Sequence, residues 1–151
     1  MLQYQLAQIN IAQSKESMDT EIMQGFVDRL GEINALADQS PGFIWRLQTE
    51  EGDSTAIRAF DDPDVIVNMS VWDNIGSLKN FVYKSTHVEL IRDRDAWFNK
   101  MPEMHQALWW IAANHIPTVE EGIEKLRYIQ TNGVSEYAFT FAKHFKPSDL
   151  N

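Results

Sequence analysis

The chain has 151 residues, of which 44% are hydrophobic and 23% charged, and it carries a net charge of −9. A chain of this length can bury about 70% of the surface that its unfolded form exposes, so we expect one globular domain over 1–151. The acidic balance excludes a protein that binds the phosphate backbone of nucleic acids or an anionic membrane surface. The absence of cysteine excludes disulfides and thiolate metal sites.

The first residues contain no basic segment followed by a long apolar run, and no apolar stretch approaches the roughly 18 residues of a membrane span. We therefore expect a cytoplasmic protein. Four histidines are scattered among unlike segments, so we also expect no bound metal.

Alternating polarity from Tyr4 to Ile11 predicts a first strand with one apolar face. Apolar residues at spacings of three and four predict an amphipathic helix from about Met18 to Ala37. Its stripe consists of Ile22, Phe26, Leu30, Ile33 and Ala37. The segment Phe43 to Leu47 is aromatic and β-branched, which predicts a second strand. The acidic stretch from Glu50 to Asp64 is expected to be a solvated connection. A short strand at Ala56 to Phe60, paired with the edge of the sheet, is an alternative for part of it.

The segment Val65 to Trp72 predicts a third strand whose two faces differ in chemistry, because strand side chains alternate sides. One face is wholly apolar and consists of Val65, Val67, Met69 and Val71. The other face consists of Ile66, Asn68, Ser70 and Trp72. An amide, a hydroxyl and an indole on one face are typical of a small-molecule site with a few polar groups on apolar walls.

Asp73 is predicted to cap a helix that carries an apolar stripe of Ile75, Leu78, Phe81 and Val82. A second helical stretch is predicted from about Thr86 to Pro102. Its stripe consists of His87, Leu90, Ile91, Arg94, Trp97 and Phe98. The apolar run from Leu108 to Ala113 predicts a buried central strand.

Thr118 and Glu121 form a capping box, which predicts a helix that ends at Asn132-Gly133. A short last strand is predicted from Tyr137 to Phe141. This order of elements predicts an α+β sandwich with helices on one face of an antiparallel sheet.

Several side chains are candidates for a binding site, and each also has a purely structural explanation. Arg46 interrupts the second strand on the face of Ile44 and could bind a carboxylate or phenolate, or form a salt bridge. His87 could be a general base or a packed core histidine. The neighbours Trp109 and Trp110 must point to opposite faces, and we expect Trp110 to belong to the site.

Five segments together resemble an uncharacterised family of the dimeric α/β-barrel superfamily. They are Pro41-Gly42-Phe43, Asn68 to Trp72, Phe81-Val82-Tyr83 with Ser85 and His87, Leu108-Trp109-Trp110, and Pro117-Thr118. The resemblance covers nearly the whole chain. It implies a ferredoxin-like fold, a homodimer whose sheets pack into a shared barrel, and a pocket between sheet and helices in each subunit.

The pair Asn68 and Trp72 is also similar to a pair in antibiotic-biosynthesis monooxygenases of that superfamily. Those enzymes oxidise aromatic substrates without metal or flavin, and the resemblance implies catalytic roles for Asn68 and Trp72. From the residues themselves, we expect His87 to be catalytic as well, and we expect substrate binding by Arg46, Ser70, Ile44 and Trp110. A lining that performs no chemistry stays an alternative for the pair.

Three functions therefore stay open. The first, which we favour, is a cofactor-independent oxygenase or isomerase acting on an aromatic or enolisable compound. The second is a haem protein with His87 as axial ligand. The third is a small-molecule-binding or stress-response barrel without catalysis. No glycine-rich loop follows a strand, so flavin or nicotinamide held in a Rossmann manner is not expected.

Overall fold

The computed structural model describes residues 3–16, 20–48, 65–84, 96–99 and 104–146. The strands are β1 (Tyr4–Ser14), β2 (Phe43–Arg46), β3 (Val65–Trp72), β4 (Phe98–Asn99) and β5 (Gln106–Ala112). The helices are α1 (Glu21–Gln39), α2 (Ile75–Lys84) and α3 (Val119–Asn132).

All strand pairs of the described residues are antiparallel and belong to one sheet. The order is β2-β3-β1, and β5 lies on the other side of β1, beside the short β4. With α1 between β1 and β2, and α2 after β3, this is the ferredoxin-like arrangement, in which β5 takes the place of the fourth strand. The predicted α+β class and antiparallel sheet are confirmed.

One face of the sheet is a continuous apolar core. Its sheet residues are Ala7, Ile9, Ile11, Val65, Val67, Met69, Val71, Ala107, Trp109 and Ile111. Leu126 and Ile129 of α3 pack onto this face. Gly122 allows the close approach, because a Cβ added there would lie 2.9 Å from Ile9 Cδ1. We call this side the α3 face.

On the opposite side, α1 and α2 pack against two separate apolar clusters. The first cluster contains Leu6, Ala37, Trp72, Leu78, Leu108 and Phe139. The second contains Met23, Phe26 and Trp97, with Ile66 and Phe98 packed against it. We call this side the α1 face.

Several predicted elements are confirmed. The bounds of β3 are those read from the sequence, and β1 has the predicted alternation but extends to Ser14. Thr118 caps α3, because its hydroxyl accepts a hydrogen bond from the Glu121 amide at 3.1 Å. The helix ends at Gly133, whose φ of 84° favours glycine.

Two helix details differ from the prediction. In α1, Met23 is buried while Ile22 is 53% exposed, so the inward stripe is displaced by one residue at the N-terminus. At the start of α2, the cap is Asn74 rather than Asp73, since Asn74 Oδ1 accepts the Ser77 amide at 2.9 Å. Asp73 accepts the Ser77 hydroxyl instead.

The helix predicted from Thr86 does not extend to Phe98. Phe98–Asn99 is a strand that pairs with Gln13 and Ser14 of β1. Aromatic residues suit a strand as well as a helix, and pairing with the extended end of β1 decides between them. The rest of that prediction, with His87, and the edge pairing at Ala56 to Phe60 lie outside the described residues.

Helices lie on both faces of the sheet, which corrects the prediction that one face carries them all. The expected homodimer was argued from an uncovered apolar face, and α3 covers that face in the single chain. The homodimer therefore stays a prediction that this packing does not itself require.

The C-terminal part differs from the prediction in two ways. The strand expected from Tyr137 to Phe141 is a single bridge, in which Phe139 and Leu108 exchange two backbone hydrogen bonds of 2.8 Å. Among the described strands, β5 therefore lies at an edge rather than in the centre of the sheet, although most of its residues are buried. None of the described helices is long and apolar enough to cross a membrane.

Candidate functional site

A group of uncharged polar side chains lies on the α1 face, across the three adjacent strands β3, β1 and β5. Its members are Gln8, Asn10, Asn68, Ser70 and Gln106, which we call the polar strip. The register aligns Asn68, Asn10 and Gln106 in one row and Ser70 and Gln8 in the next. The neighbouring row is Trp72, Leu6 and Trp110, where the apolar cluster begins.

Hydrogen bonds join four side chains of the polar strip, all but that of Gln106, into one network. Gln8 Nε2 donates to Asn68 Oδ1 at 2.7 Å and to Ser70 Oγ at 2.9 Å. Trp72 Nε1 also donates to Ser70 Oγ, at 2.8 Å. Asn10 Nδ2 donates to Gln8 Oε1 at 3.3 Å. Asn68 and Trp72, the pair singled out in the sequence, are thus linked through Gln8 and Ser70.

The network runs from solvent into the core. Asn68 is exposed, whereas Ser70 is 7% and Trp72 only 1% exposed. Gln8, between them, is 3% exposed. A ligand approaching the strip therefore meets the Asn68 amide first. The indole N–H of Trp72 already donates to Ser70, so the catalytic role expected for Trp72 stays a prediction.

Aromatic rings flank the strip at both ends. The ring of Trp72 stacks with Phe81 at 5.3 Å and meets Phe43 edge-on at 5.4 Å. Beyond Ile66, the ring of Phe26 lies 5.8 Å from Trp97 and 5.0 Å from Phe98. The polar strip therefore lies between two clusters of packed aromatic rings.

Arg46 lies in the row of Ser70, one strand further out. Its Nε donates to Asp38 Oδ1 of α1 at 2.8 Å, and a second guanidinium nitrogen donates to Oδ2 at 3.3 Å. The structure thus contains the salt bridge that the sequence left open. The ion pair joins α1 to β2 beside the polar strip.

The other predicted site residues lie at different places. Ile44 is 39% exposed, and a register shift between Phe43 and Trp45 puts Phe43, not Ile44, on the face of Arg46. Trp110 lies on the α1 face, and its Nε1 donates to the Phe145 carbonyl at 2.7 Å. His87 lies outside the described residues.

The chemistry available to the strip is hydrogen bonding without charge. Amides and a hydroxyl can donate to, or accept from, an oxygen of a ligand, but they cannot take up a proton near neutral pH. Within the described residues, no group of three or more histidine, aspartate or glutamate side chains could hold a metal ion.

Sequence reasoning missed Gln8, Asn10 and Gln106. The signal for two of them was present, because Gln8 and Asn10 lie on the more polar of the two predicted faces of β1. Gln106 gave no such signal. Only the pairing of β1 with both β3 and β5 brings the three amides beside Asn68 and Ser70.

These features define a class of protein: a ferredoxin-like α+β domain with an uncharged polar strip between two aromatic clusters on its α1 face. Residues 5–151 match the family described as Domain of unknown function (DUF3291). The chain belongs to that family, which confirms the resemblance to an uncharacterised family. No curated protein matches the chain.

Solved structures that resemble this chain do so at low identity. A protein of unknown function from Nitrosomonas europaea, NE2512, is 9% identical, with a TM-score of 0.48 over 76% of this chain and 94% of its own. SnoaB, a cofactor-independent oxygenase from Streptomyces nogalater, is 12% identical, with a TM-score of 0.47 over 76% and 96%. A dabb family protein with a ferredoxin-like fold from Mesorhizobium loti is 13% identical, with a TM-score of 0.45 over 77% and 99%.

Proposed function

We propose that this protein is a cofactor-independent enzyme that binds the anion of a small aromatic or enolisable compound at the polar strip and oxygenates it. The observation that carries the proposal is the hydrogen-bonded network from exposed Asn68 to buried Ser70, set between two aromatic clusters. Aromatic walls suit the body of the substrate, and the amide of Asn68 suits its oxygen.

The chemistry needs only what such a site can supply. A phenolate or enolate is electron-rich enough to react with O₂ directly. Hydrogen-bond donors aimed at the developing negative charge lower the barrier, more so where water is excluded. For a phenol oxidised to a quinone, one oxygen atom of O₂ forms the new carbonyl and the other leaves as water. The four electrons that reduce O₂ come from the substrate, so no external reductant is needed.

The first experiment measures O₂ uptake with an oxygen electrode, using electron-rich phenols and naphthols, a metal chelator and no added flavin. We expect uptake that depends on the protein, and labelled oxygen in the product when isotopic O₂ is supplied. Conversion without O₂ uptake, and with unchanged product mass, would identify an isomerase instead.

The matched variants are Asn68→Asp and Asn132→Asp, which add the same charge on opposite sides of the sheet. Asn132 is exposed at the end of α3. Asn68→Asp replaces the donor with an anionic acceptor, so we expect turnover to fall by roughly tenfold to a hundredfold. Asn132→Asp should leave turnover unchanged. Equal effects of the two variants, or no binding and no turnover of any phenol, would refute the proposal.

Absorbance of the purified protein tests the haem alternative. A Soret band that corresponds to about one haem per chain would show that the protein binds haem, and would refute the proposed cofactor-independent function. Binding of phenols without conversion would leave the non-catalytic binding protein as the correct description.

A further inference from the structure

One hydrogen bond in the polar strip has a direction that is fixed by its donor group, which cannot accept. The indole N–H of Trp72 donates to Ser70 Oγ and has no acceptor atom. Ser70 also accepts from Gln8 Nε2, so both of its lone pairs are occupied. None of the described residues accepts its hydroxyl hydrogen, so that hydrogen is available to water or to a ligand.

Gln8 determines how the rest of the network is oriented. Both hydrogens of Gln8 Nε2 are used, one on Ser70 Oγ and one on Asn68 Oδ1. Because Asn68 accepts through its oxygen, its Nδ2 group turns away from Gln8 and carries two hydrogens toward solvent. The groups that a ligand would meet, the Ser70 hydroxyl and the Asn68 amide nitrogen, are therefore both donors.

The opposite orientation has the opposite consequence. If the Gln8 position offered an acceptor to both neighbours, Asn68 would turn its nitrogen inward and Ser70 would donate inward. The oxygen of Asn68 would then face the ligand. The same residues would prefer a neutral ligand that carries an O–H or N–H group.

We propose that Gln8 is a specificity-determining residue, which orients Asn68 and Ser70 as donors so that the polar strip selects the deprotonated oxygen of its ligand over the protonated form. This rests on the proposed function in one respect, namely that the ligand is a phenol or an enol. The orientation of the network itself is independent of any ligand. Gln8 acts through Asn68 and Ser70, so it is a positioning residue.

Gln8→Glu tests the orientation because an ionised carboxylate can only accept. Asn68 and Ser70 would both have to donate toward it, which reverses both groups. The control is Gln106→Glu, which places the same charge on the same face of the sheet. The Gln106 side chain makes no hydrogen bond with the described part of the network.

The first measurement uses no ligand. Hydrogen exchange of the side-chain amides is followed by NMR in the unmodified protein and in both variants. In the unmodified protein we expect the Gln8 amide to be protected and the Asn68 amide to exchange as an exposed amide does. In Gln8→Glu, at least one Asn68 amide hydrogen should exchange about tenfold more slowly, because it becomes bonded. Gln106→Glu should leave the Asn68 rate unchanged.

Two results of this measurement would overturn the proposal. One is an unprotected Gln8 amide or a protected Asn68 amide in the unmodified protein, since the network would then have the reverse or no fixed direction. The other is an equal slowing in both glutamate variants, since charge alone would then explain it.

The second measurement uses 4-nitrophenol, whose phenolate is distinguished from the phenol by absorbance. We expect the unmodified protein to bind the phenolate about tenfold more tightly than the phenol, which lowers the apparent pKa of the bound probe. Gln8→Glu should reverse this preference, and Gln106→Glu should reduce it without reversal. Gln8→Met removes both donors without adding charge, and should abolish the preference.

The two measurements separate this inference from the proposed function. An exchange pattern as expected with no binding of 4-nitrophenol or other phenols would refute the proposed ligand class and, with it, the selection. Phenolate bound preferentially by the unmodified protein and equally by Gln8→Met would refute the role of Gln8 while the proposed function stands.

Discussion

Trp109 and Trp110 are adjacent in β5, yet their indole N–H groups donate on opposite faces of the sheet. Trp109 Nε1 donates to Glu121 Oε2 of α3 at 2.9 Å, and Trp110 Nε1 donates to the Phe145 carbonyl at 2.7 Å. Each tryptophan therefore fastens a different C-terminal segment to the same strand. Their placement on opposite faces was predicted from the alternation of side chains alone.

The bond between Trp109 and Glu121 should contribute measurably to stability. Trp109 is 1% exposed, so Trp109→Phe removes a charge-assisted hydrogen bond and some buried ring volume. We expect the free energy of unfolding to fall by about 2–3 kcal/mol in urea denaturation. Glu121→Gln keeps an oxygen that can accept the indole N–H, so it should cost less. A larger loss in Glu121→Gln than in Trp109→Phe would contradict this assignment.

Ser70 and Trp72 should be energetically coupled. Ser70→Ala leaves the buried indole N–H of Trp72 without its acceptor, and we expect a loss of about 1–3 kcal/mol. In a double-mutant cycle with Trp72→Phe, the two losses should fall short of additivity by about 0.5–1.5 kcal/mol. Strict additivity would show that the bond contributes nothing.

Asn68 should behave differently from Ser70 because it lies at the exposed end of the network. In Asn68→Ala, water can replace the Asn68 oxygen as the acceptor for Gln8. The free energy of unfolding should therefore change by less than about 1 kcal/mol. Binding of a ligand should weaken by roughly 1–3 kcal/mol through a lost hydrogen bond. A strongly destabilised variant with intact binding would remove Asn68 from the site.

Two glycine variants should have opposite effects. Gly122→Ala places a Cβ 2.9 Å from Ile9 and 3.1 Å from Met69, so α3 or these side chains must shift, at a cost of about 1–3 kcal/mol. Gly31→Ala in α1 meets nothing within 4 Å and should stabilise the protein by roughly 0.5–1 kcal/mol. The melting temperatures of the two variants test these predictions. A stabilising effect of Gly122→Ala would mean that α3 does not pack closely against the sheet at Gly122.

Tyr137 gives a prediction at alkaline pH. Its hydroxyl donates to Glu124 at 2.8 Å, and this bond, then burial, raises the pKa of Tyr137 above 10.0. The folded state thus holds the proton more tightly, so the stabilisation is complete below pH 10.0 and is lost as pH rises through the raised value. Tyr137→Phe should cost roughly 0.5 kcal/mol at neutral pH, a small value because the side chain is 37% exposed.

The difference between Tyr137→Phe and the unmodified protein should disappear above that window. Phe keeps the ring 3.3 Å below Lys125 Nζ, so the comparison isolates the hydroxyl. Burial lowers the pKa of Lys125, although the charges of Glu124 and Glu121 oppose this shift. The lowered pKa of Lys125 affects stability with the opposite sign to Tyr137 in the same pH range. A difference that grows with pH would show that the hydrogen bond to Glu124 is not the cause.

Local patterns predicted those elements whose ends carry local signals. The bounds of β3, the Thr118 cap and the Gly133 stop all depend on residues within a few positions of one another. The displaced stripe at Ile22 and Met23 shows the limit of this reasoning, since packing against Trp97 and its neighbours decides which residue is buried.

Features that depend on distant partners were not predictable. The strand at Phe98 forms because the end of β1 offers an edge, and Ile44 leaves its expected face because of a register shift. The polar strip is of the same kind, since its five side chains come from three strands that are far apart in the chain. Asn68 and Ser70 were found because they share one strand, and Gln8 was missed because its partners lie about sixty residues away.

The bridge between Leu108 and Phe139 has a further consequence for solubility. Without it, β5 would present a free backbone edge beside the apolar run of Leu108 to Ile111, which is the kind of strand that recruits other chains into intermolecular sheets. At the opposite border of the described strands, β2 is only four residues long and irregular in register, which also discourages such pairing. We therefore expect residues 134–146 to protect the edge of β5 from pairing with other chains. A chain cut after Gly133 should form insoluble aggregates.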